Sequence, residues 1–276
     1  MTERNAYRIP DDGRHRTINF SGGRSSGYMT DHILRAHGGA LPPNTEIVFC
    51  NTGAENPATL DFVYDFEIHR QVPITWLEFW HDDSAKGVRG QPKKKVKVVD
   101  YKSAAREHEP FEALIKAGRF LPNKVRRKCT QELKIRSVER YLRSRGHDPR
   151  HCIRILGFRF DEPHRWGKAV FGDCNREWPM VHAGVTKADV MAHWKRQPFD
   201  LAISANEGNC VMCFMKSEAA LRHLKQKHPD EAKWWEKMED DLQATFVKGR
   251  SYRDLKSRTE FDLEDTAGPT CDFCHD

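Results

Sequence analysis

A short hydrophobic segment that runs straight into a Ser-Gly-Gly turn constrains the fold of this chain more than any other feature of its sequence. Residues 16–20 (RTINF) have the composition of a strand, and residues 27–36 have helical character. The glycines of the loop between them allow positive φ and a close backbone approach to a ligand. The first N–H groups of a helix and the positive end of its dipole attract anions. The loop is therefore predicted to hold phosphate through Ser21, Gly22, Gly23, Arg24, Ser25 and Ser26.

The loop, SGGRSS, matches neither of the two common phosphate-binding patterns. It lacks the G-x-x-x-x-G-K-[ST] sequence, and it also lacks G-x-G-x-x-G. By itself the loop is also compatible with a β–α turn in which glycine serves the geometry alone. The segments that follow favour the phosphate-binding interpretation.

Strands and helices alternate through the first part of the chain. Residues 46–50 and 73–80 read as apolar strands, and residues 57–71 between them read as a helix. The order β-α-β-α-β is typical of α/β proteins with a doubly wound, mostly parallel sheet. Later segments are predicted as an excursion from the sheet (81–102), two helices (103–117 and 131–144) and a further buried strand (152–158).

The last third of the sequence is predicted to be a smaller helical part that bears cysteines. Thr186, followed three residues later by Asp189, forms a capping-box pattern at the start of a helix. Residues 216–246 read as two helices that meet at Pro229. We therefore expect a nucleotide-binding α/β domain over residues 1–185 and a helical C-terminal region over residues 186–276.

Composition limits the class of protein. The 276 residues, 38% of them hydrophobic, are enough for a real core. No apolar run reaches the roughly 18 residues that a membrane span needs, and the first residues lack the apolar core of a signal peptide. We expect a cytoplasmic protein with no membrane partner, whose eight cysteines are reduced thiols or metal ligands.

The positive charge is concentrated in two stretches. The formal net charge is +6, and lysine and arginine cluster in residues 86–97 and 119–136. Such stretches are either solvated faces or contacts to an anion, such as nucleotide phosphates or a nucleic-acid backbone.

Four segments in a fixed order resemble the phosphoadenosine phosphosulfate (PAPS) reductase-like family, part of the adenine nucleotide alpha-hydrolase and N-type ATP pyrophosphatase superfamily. They are SGGRSS at 21–26, VFCNTGAENPATLDFV at 48–63, RKCTQELKI at 127–135 and GFRFDEPHRW at 157–166. The resemblance covers nearly the whole chain. It implies an adenine nucleotide, either ATP or a PAPS-like molecule, bound at the loop.

The resemblance also implies roles for residues that follow two later strands. Asn51, Thr52 and Gly53 would lie beside the same crevice, because ligands of such sheets bind at the carboxyl ends of the strands. The Gly157 segment would close the site over the phosphates, with Arg159 and Asp161 acting in catalysis and the carboxylates available to a metal ion such as Mg²⁺. ATP pyrophosphatases usually carry Asp where this chain has Ser25. The segment's implied nucleotide contacts are Gly157, Arg159, Glu162 and Arg165.

The cysteines form two C-x-x-C pairs, Cys210 with Cys213 and Cys271 with Cys274. Thiolates at this spacing can face one metal or cluster. The residues alone leave open a zinc site on these four cysteines, an iron–sulfur cluster, or a dithiol tail that exchanges disulfides. The resemblance implies a [4Fe-4S] cluster on Cys129, Cys210 and Cys213, with Cys274 as fourth ligand. Cys271 would then be a free catalytic thiol that carries redox equivalents or sulfur.

The predicted function is an enzyme of sulfur metabolism that either reduces a sulfonucleotide or transfers sulfur with ATP. The PAPS reductases proper have a Glu-Cys-Gly tail, whereas this chain ends in CDFCHD. Two alternatives remain: an ATP-pyrophosphatase-type enzyme that thiolates a nucleic-acid substrate, and a non-catalytic nucleotide or nucleic-acid binder with structural zinc. The predicted enzyme would need a sulfur or electron donor, such as a thioredoxin-like protein or a cysteine desulfurase.

Overall fold

A six-stranded, mostly parallel sheet organises the protein. The computed structural model describes residues 6–86, 92–167, 175–204, 206–208 and 210–255. The sheet has the order β4-β3-β2-β1-β5-β6, in which only β4 runs antiparallel to its neighbour. The strands are β1 (Arg16–Phe20), β2 (Thr45–Asn51), β3 (Ile74–Lys86), β4 (Pro92–Val99), β5 (Ile153–Leu156) and β6 (Arg176–Glu177).

Helices connect the strands and extend beyond the sheet. The α-helices are α1 (Arg24–Ala36), α2 (Pro57–Arg70), α3 (Glu109–Gly118), α4 (Arg136–Ser144), α5 (Pro163–Trp166), α6 (Pro179–His182), α7 (Lys187–Trp194), α8 (Glu218–Lys227) and α9 (Pro229–Leu242). A π-helical segment, Thr130–Ile135, leads directly into α4. Among the described residues, no helix is both long and apolar enough to cross a bilayer.

Both faces of the sheet are covered, which explains the nearly continuous apolar composition of its central strands. In β2, Ile47 and Phe49 pack in a core with residues of α1, α2 and α7, whereas Val48 faces a smaller cluster with Val138 and Leu142 of α4. The doubly wound α/β class predicted from the sequence is thus confirmed.

A second core connects the sheet to the C-terminal part of the chain. It joins Phe79 of β3 and Leu114 of α3 to residues of the C-terminal part, including Trp235 of α9. Trp194 of α7, by contrast, packs in the first core with the sheet. Each core therefore draws residues from both sides of position 185. The predicted division into 1–185 and 186–276 stays a prediction.

The stretch 81–102 differs from its prediction. Instead of leaving the sheet, its described residues extend β3 and form β4, with pairs that include Trp76 with Val99 and Trp80 with Lys95. Lysines are common on edge strands because their charge discourages pairing with another chain. The lysine-rich composition therefore marks an edge strand here.

Two predicted helices have different starts from those expected. The helix predicted from residue 103 begins at Glu109, because its N-cap His108 has the left-handed φ of +69°, which a continuous α-helix cannot include. Residues 100–103 instead form a turn in which the Ser103 hydroxyl donates to the Asp100 carboxylate. The helix predicted from residue 131 opens with the π-helical turn. The capping box at Thr186 is confirmed: its N–H donates to the Asp189 carboxylate at 2.8 Å.

Candidate nucleotide crevice and cysteine cavity

The carboxyl ends of β1 and β5 meet where the order of the strands reverses. From β1 the chain continues to β2 and β3 on one side, whereas β5 and β6 lie on the other. Open α/β sheets bind their ligands at such a switch point. A pocket of about 160 Å³ opens there, and we call it the crevice. It is lined by Asn19, Phe20, Ser21 and Ser26 on the β1 side and by Leu156, Gly157 and Phe158 on the β5 side.

The Ser-Gly-Gly loop is held in shape by its own hydroxyl groups. The Ser21 N–H donates to Ser26 Oγ at 3.0 Å, and Ser26 Oγ donates to the Gly23 carbonyl at 2.9 Å. Gly22 has φ +83°, which its lack of a side chain permits. Gly23 is the N-cap of α1, and among the described residues no side chain caps this helix end. The first turn of α1 is therefore presented to an anion without a competing cap.

Gly157 brings the β5 end against the loop. A Cβ atom at this position would lie 3.0 Å from the Ser26 Cα and 3.3 Å from its backbone nitrogen. Only glycine permits this close backbone approach. Gly157 thus lies in the same crevice as the loop. Its lack of a side chain allows the backbone after β5 to contact the backbone at Ser26.

Basic side chains line the crevice opposite the loop. They come from the π-helical segment, β5, α5 and β6, and are Lys134, Arg154, Arg165 and Arg176. Oriented arginine and lysine side chains in a concave site favour an anionic ligand. The crevice therefore combines a helix N-terminus with fixed positive charge, which suits a nucleotide phosphate.

Arg159 connects the β5 end to the loop. Its Nη1 donates to Ser25 Oγ at 3.0 Å, and its Nε donates to Asp161 Oδ1 at 3.0 Å. Glu162 lies between two arginines, with Oε1 at 3.2 Å from Arg159 Nη2 and at 2.9 Å from Arg165 Nη1. The two carboxylates thus hold arginines in place. Their predicted roles toward a metal ion, and the catalytic roles of Arg159 and Asp161, stay predictions.

Arg24 points away from the crevice. Its Nε donates to Asp200 Oδ1 at 2.8 Å, and its guanidinium also contacts the Leu201 carbonyl. Its side chain therefore ties the start of α1 to the segment after α7. Arg24 therefore contributes its backbone to the Ser-Gly-Gly loop, whereas its guanidinium group contacts Asp200.

Asn51 at the end of β2 and the residues that follow it shape a different part of the site. Asn51 Nδ2 donates to Glu78 Oε1 at 2.7 Å, and Asn51 Oδ1 accepts from the Gly53 N–H at 3.0 Å. Thr52 Oγ1 donates to Glu55 Oε2 at 2.7 Å and lies 3.6 Å from Cys210 Sγ. The Asn51–Gly53 turn is thus directed toward the cysteines.

Cys129, Cys210 and Cys213 line one small cavity, which we call the cysteine cavity. It measures about 20 Å³, and its wall also includes Thr52 and Arg127. Apolar side chains enclose it, namely Phe111, Phe214, Met215 and Trp235. Three of the four predicted cluster ligands are thereby brought to one place, although Cys129 precedes Cys210 by 81 residues in the sequence.

The segment of the C-x-x-C pair is fixed from two sides. Cys210 forms an antiparallel bridge with Glu55, and the Val211 N–H donates to the Ala54 carbonyl at 3.0 Å. On the other side, the buried Tyr252 hydroxyl donates to the Met212 carbonyl at 2.5 Å. Burial, together with the nearby Cys213, raises the pKa of Tyr252 well above its usual value, so the hydroxyl keeps its proton.

The donor set of the cysteine cavity suits a thiophilic metal centre. Three thiols in an apolar enclosure match the ligands of iron–sulfur clusters and of zinc. Within the described ranges, however, no group of three or more His, Cys, Asp or Glu side chains is arranged as a ready ligand set. The predicted fourth ligand Cys274 and the predicted catalytic thiol Cys271 lie outside the described residues.

Cys50 is a structural thiol at the base of the crevice. Its Sγ donates to the Lys134 carbonyl at 3.6 Å. Burial raises the pKa of Cys50 to about 12, so it stays a neutral thiol at physiological pH. Cys152 is likewise buried, and burial raises its pKa.

Thr130 and Lys134 form a shared wall between the two sites. Both residues line the crevice, and both also line the cysteine cavity. They lie one turn apart on the π-helical segment. Both occur in the RKCTQELKI segment, so that segment was the available signal. Cys129 was predicted from this segment as a ligand, and Lys134 was part of the basic stretch 119–136 that was predicted as either a solvated face or an anion contact. Thr130, Arg154 and Arg176 were not predicted.

The strand order, the Ser-Gly-Gly loop and the crevice together define a doubly wound α/β protein with a glycine-containing β–α loop and a pocket at its switch point. A comparison with models of known protein families finds no match. The chain is 28% identical over 209 residues to the uncharacterized nin region protein ORF290 of Escherichia phage lambda. That match covers 72% of this chain and 66% of the relative, which is just under two thirds of its length.

Three solved structures are similar to this chain, each at 12–14% identity. The PAPS reductase from Candida auris, in its phosphate complex, aligns with a TM-score of 0.40 over 71% of this chain and 79% of that one. The NH3-dependent NAD synthetase from Campylobacter jejuni aligns with a TM-score of 0.40 over 87% and 86%. The U34-tRNA thiolase NcsA from Methanococcus maripaludis, with its [4Fe-4S] cluster, aligns with a TM-score of 0.44 over 94% and 85%. These likenesses are distant, and the class stated above rests on the chain's own strand order and loop.

Proposed function

We propose that this chain is an enzyme of sulfur chemistry that binds an adenine nucleotide in the crevice and holds a [4Fe-4S] cluster in the cysteine cavity. The observation that carries the proposal is the shared wall: Thr130 and Lys134 border both sites. A nucleotide phosphate and a cluster would then be neighbours across one helical turn. When bound, such a cluster would supply electrons or hold sulfur beside the nucleotide.

The residues of the crevice would bind and orient the nucleotide. The loop hydroxyls and the first turn of α1 would hold phosphate oxygens, while Lys134 and Arg165 would balance their charge. Arg159 would fix the loop through Ser25. In the cysteine cavity, Cys129, Cys210 and Cys213 would be ligands, with Cys274 as the fourth and Cys271 as the free catalytic thiol.

Nucleotide binding tests the first half of the proposal. ATP, AMP and a PAPS-like nucleotide are titrated into the protein by calorimetry. Lys134→Gln should weaken binding about tenfold, because a hydrogen bond to a charged group contributes about 1.5–3 kcal/mol. Lys128→Gln is the matched control, since Lys128 is on the same basic stretch and donates to Gln131 Oε1. If the two variants bind nucleotide with equal affinity, Lys134 does not contact the nucleotide.

Metal analysis tests the second half. Anaerobically purified protein should be brown and contain iron and sulfide, and each of Cys129→Ser, Cys210→Ser and Cys213→Ser should lower the iron content. A colourless protein that retains zinc would replace this proposal with the alternative of a nucleotide or nucleic-acid binder with structural zinc.

Product analysis distinguishes the two forms of sulfur chemistry. Conversion of ATP to AMP and pyrophosphate, together with a sulfur atom gained by the acceptor, would identify ATP-dependent sulfur transfer. Thioredoxin-dependent release of sulfite from PAPS would identify sulfonucleotide reduction. If the iron-loaded protein does neither, the enzymatic proposal fails.

A further inference from the structure

A second pocket adjoins the crevice on the α4 face of the sheet. It measures about 350 Å³ and lies between α4, the turn around Pro149, and the β5–β6 strands. Ile135, Arg154 and Arg176 line both this pocket and the crevice. The two pockets are therefore neighbours that share part of their lining.

The second pocket is strongly basic. Four arginines line it, namely Arg143, Arg150, Arg154 and Arg176, against one carboxylate, Glu139. That carboxylate is already shared between Arg154, at 2.8 Å, and Arg143, at 3.8 Å. The lining side chains thus carry four positive charges and one negative charge.

The outer arginines are accessible to a ligand. The side chain of Arg143 is 59% exposed and that of Arg150 is 83% exposed. Arg150 pairs with Asp148, a partly exposed carboxylate. Exposed ion pairs of this kind contribute only about 0–1 kcal/mol, so a phosphate can compete for these guanidinium groups.

We propose that this arginine pocket binds the phosphodiester backbone of a nucleic-acid strand, which thereby reaches the nucleotide in the crevice. This inference rests on the proposed function and names the class of acceptor. The guanidinium group presents a planar fork of donors that matches phosphate oxygens in two-point contact. A chain of phosphates, unlike a single anion, would use both Arg154 and Arg176, which line both pockets, and Arg143 and Arg150, which line the second pocket alone.

The test measures how tightly the full chain binds short labelled single-stranded DNA and RNA oligonucleotides. Binding is measured by fluorescence anisotropy over a range of salt concentrations. The double variant Arg143→Gln/Arg150→Gln should bind the preferred oligonucleotide about tenfold more weakly at low salt. Its slope of log affinity against log salt should become shallower by about 1.4, because each neutralised single-strand phosphate contributes about 0.7. Comparison of the two oligonucleotides identifies which nucleic acid is preferred.

The control variant Lys233→Gln/Arg253→Gln removes the same charge from exposed ion pairs with Asp230 and Asp240 in the C-terminal part. Its affinity and salt slope should stay close to those of the wild type. Equal effects of the two double variants would overturn the inference, as would equal binding of poly-glutamate and oligonucleotide.

The affinity for nucleotides separates this inference from the proposed function. ATP should bind the wild type and the Arg143→Gln/Arg150→Gln variant equally, because neither arginine lines the crevice. If the double variant instead loses affinity for a 3′-phosphorylated nucleotide, the pocket is part of the nucleotide site and the inference is wrong. If the wild type binds no nucleotide at all, the proposed function fails, whatever the oligonucleotide result.

Discussion

The shape of the Ser-Gly-Gly loop depends on the absence of side chains at Gly22 and Gly157. A Cβ atom on Gly22 would lie 2.5 Å from Thr59 Cγ2 and 3.1 Å from Phe49 Cε2, and φ at Gly22 is +83°. On Gly157, a Cβ atom would press against the backbone of Ser26. The loop is thus shaped by contacts from β2, α2 and the β5 end, as well as by its own hydroxyl groups.

Gly22→Ala should therefore lower both stability and nucleotide affinity. Positive φ costs a non-glycine residue about 1–2 kcal/mol, and the contact with Thr59 adds to this cost. Gly146→Ala is the matched control, because Gly146 has φ +85° and nothing within 4 Å of its would-be Cβ. Chemical denaturation and nucleotide titration measure both effects. The same loss of stability in the two variants would show that the Thr59 contact contributes nothing.

At the scale of elements, the π-helical segment determines how the two sites meet. Its buried Glu132 accepts hydrogen bonds from Arg136 and Arg140, both at 2.6 Å, and lies 3.2 Å from Lys94 of β4. One carboxylate thus ties the segment to α4 and to the edge strand. Thr130 and Lys134 are held in the shared wall by this anchor.

Glu132→Gln should destabilise the protein by about 2 kcal/mol near neutral pH, because it leaves half-buried arginines without their counter-charge. Burial by itself would raise the pKa of Glu132, but Arg140, Lys94 and Arg136 outweigh burial and hold the pKa below its ordinary value. Its stabilising contribution is then fully present above about pH 4.3, the ordinary glutamate pKa. The contribution is lost as pH falls through the lowered pKa of the folded state.

Denaturation curves measured from neutral to acidic pH test this prediction. The stability difference between Glu132→Gln and the wild type should shrink as the pH falls below about 4. Glu218→Gln is a control, because Glu218 pairs with Arg222 and Arg250 but its side chain is 43% exposed. Such an exposed pair should contribute at most about 1 kcal/mol. A difference for Glu132→Gln that does not change with pH would contradict the assignment.

At the scale of the whole molecule, each core supports one of the two sites. Trp194, in the first core, donates its indole N–H to the Arg24 carbonyl at 2.8 Å and packs on α1. Trp235, in the second core, is fully buried and lines the cysteine cavity. One tryptophan, Trp194, thus contacts the start of α1 next to the Ser-Gly-Gly loop, and another, Trp235, contacts the cysteine cavity.

Substitution of these two tryptophans should affect the two sites separately. Trp235→Phe should leave a gap beside the cysteine cavity and raise the alkylation rates of Cys210 and Cys213 in metal-free protein, with nucleotide affinity unchanged. Trp194→Phe should lower nucleotide affinity, because α1 loses a hydrogen bond at its first residue, and should leave the alkylation rates unchanged. Mass spectrometry of alkylated protein and calorimetry measure the two responses. If each variant changes both nucleotide affinity and the alkylation rates, the two cores do not support the two sites separately.

The sequence determined the features that depend on short stretches of chain. The β-α-β-α-β order, the Ser-Gly-Gly turn and the capping box at Thr186 are local, because periodicity, glycine conformation and neighbouring hydrogen bonds act over a few residues. The C-x-x-C spacing likewise marked Cys210 and Cys213 before any fold was known. These features predicted the fold class and one side of the crevice.

Which residues from distant parts of the sequence contact each other depends on the tertiary fold. It paired Arg24 with Asp200 instead of directing its charge into the crevice. It also placed Cys129 beside Cys210, and gave Thr130 and Lys134 to both sites. The physical reason is that the direction of a side chain depends on the packing of the elements around it. The π-helical turn sets the directions of the Thr130 and Lys134 side chains, and no pattern in the sequence predicted that turn. The Ser-Gly-Gly turn can be predicted from the sequence because it depends on neighbouring residues, whereas the position of its crevice beside the cysteine cavity follows from the fold.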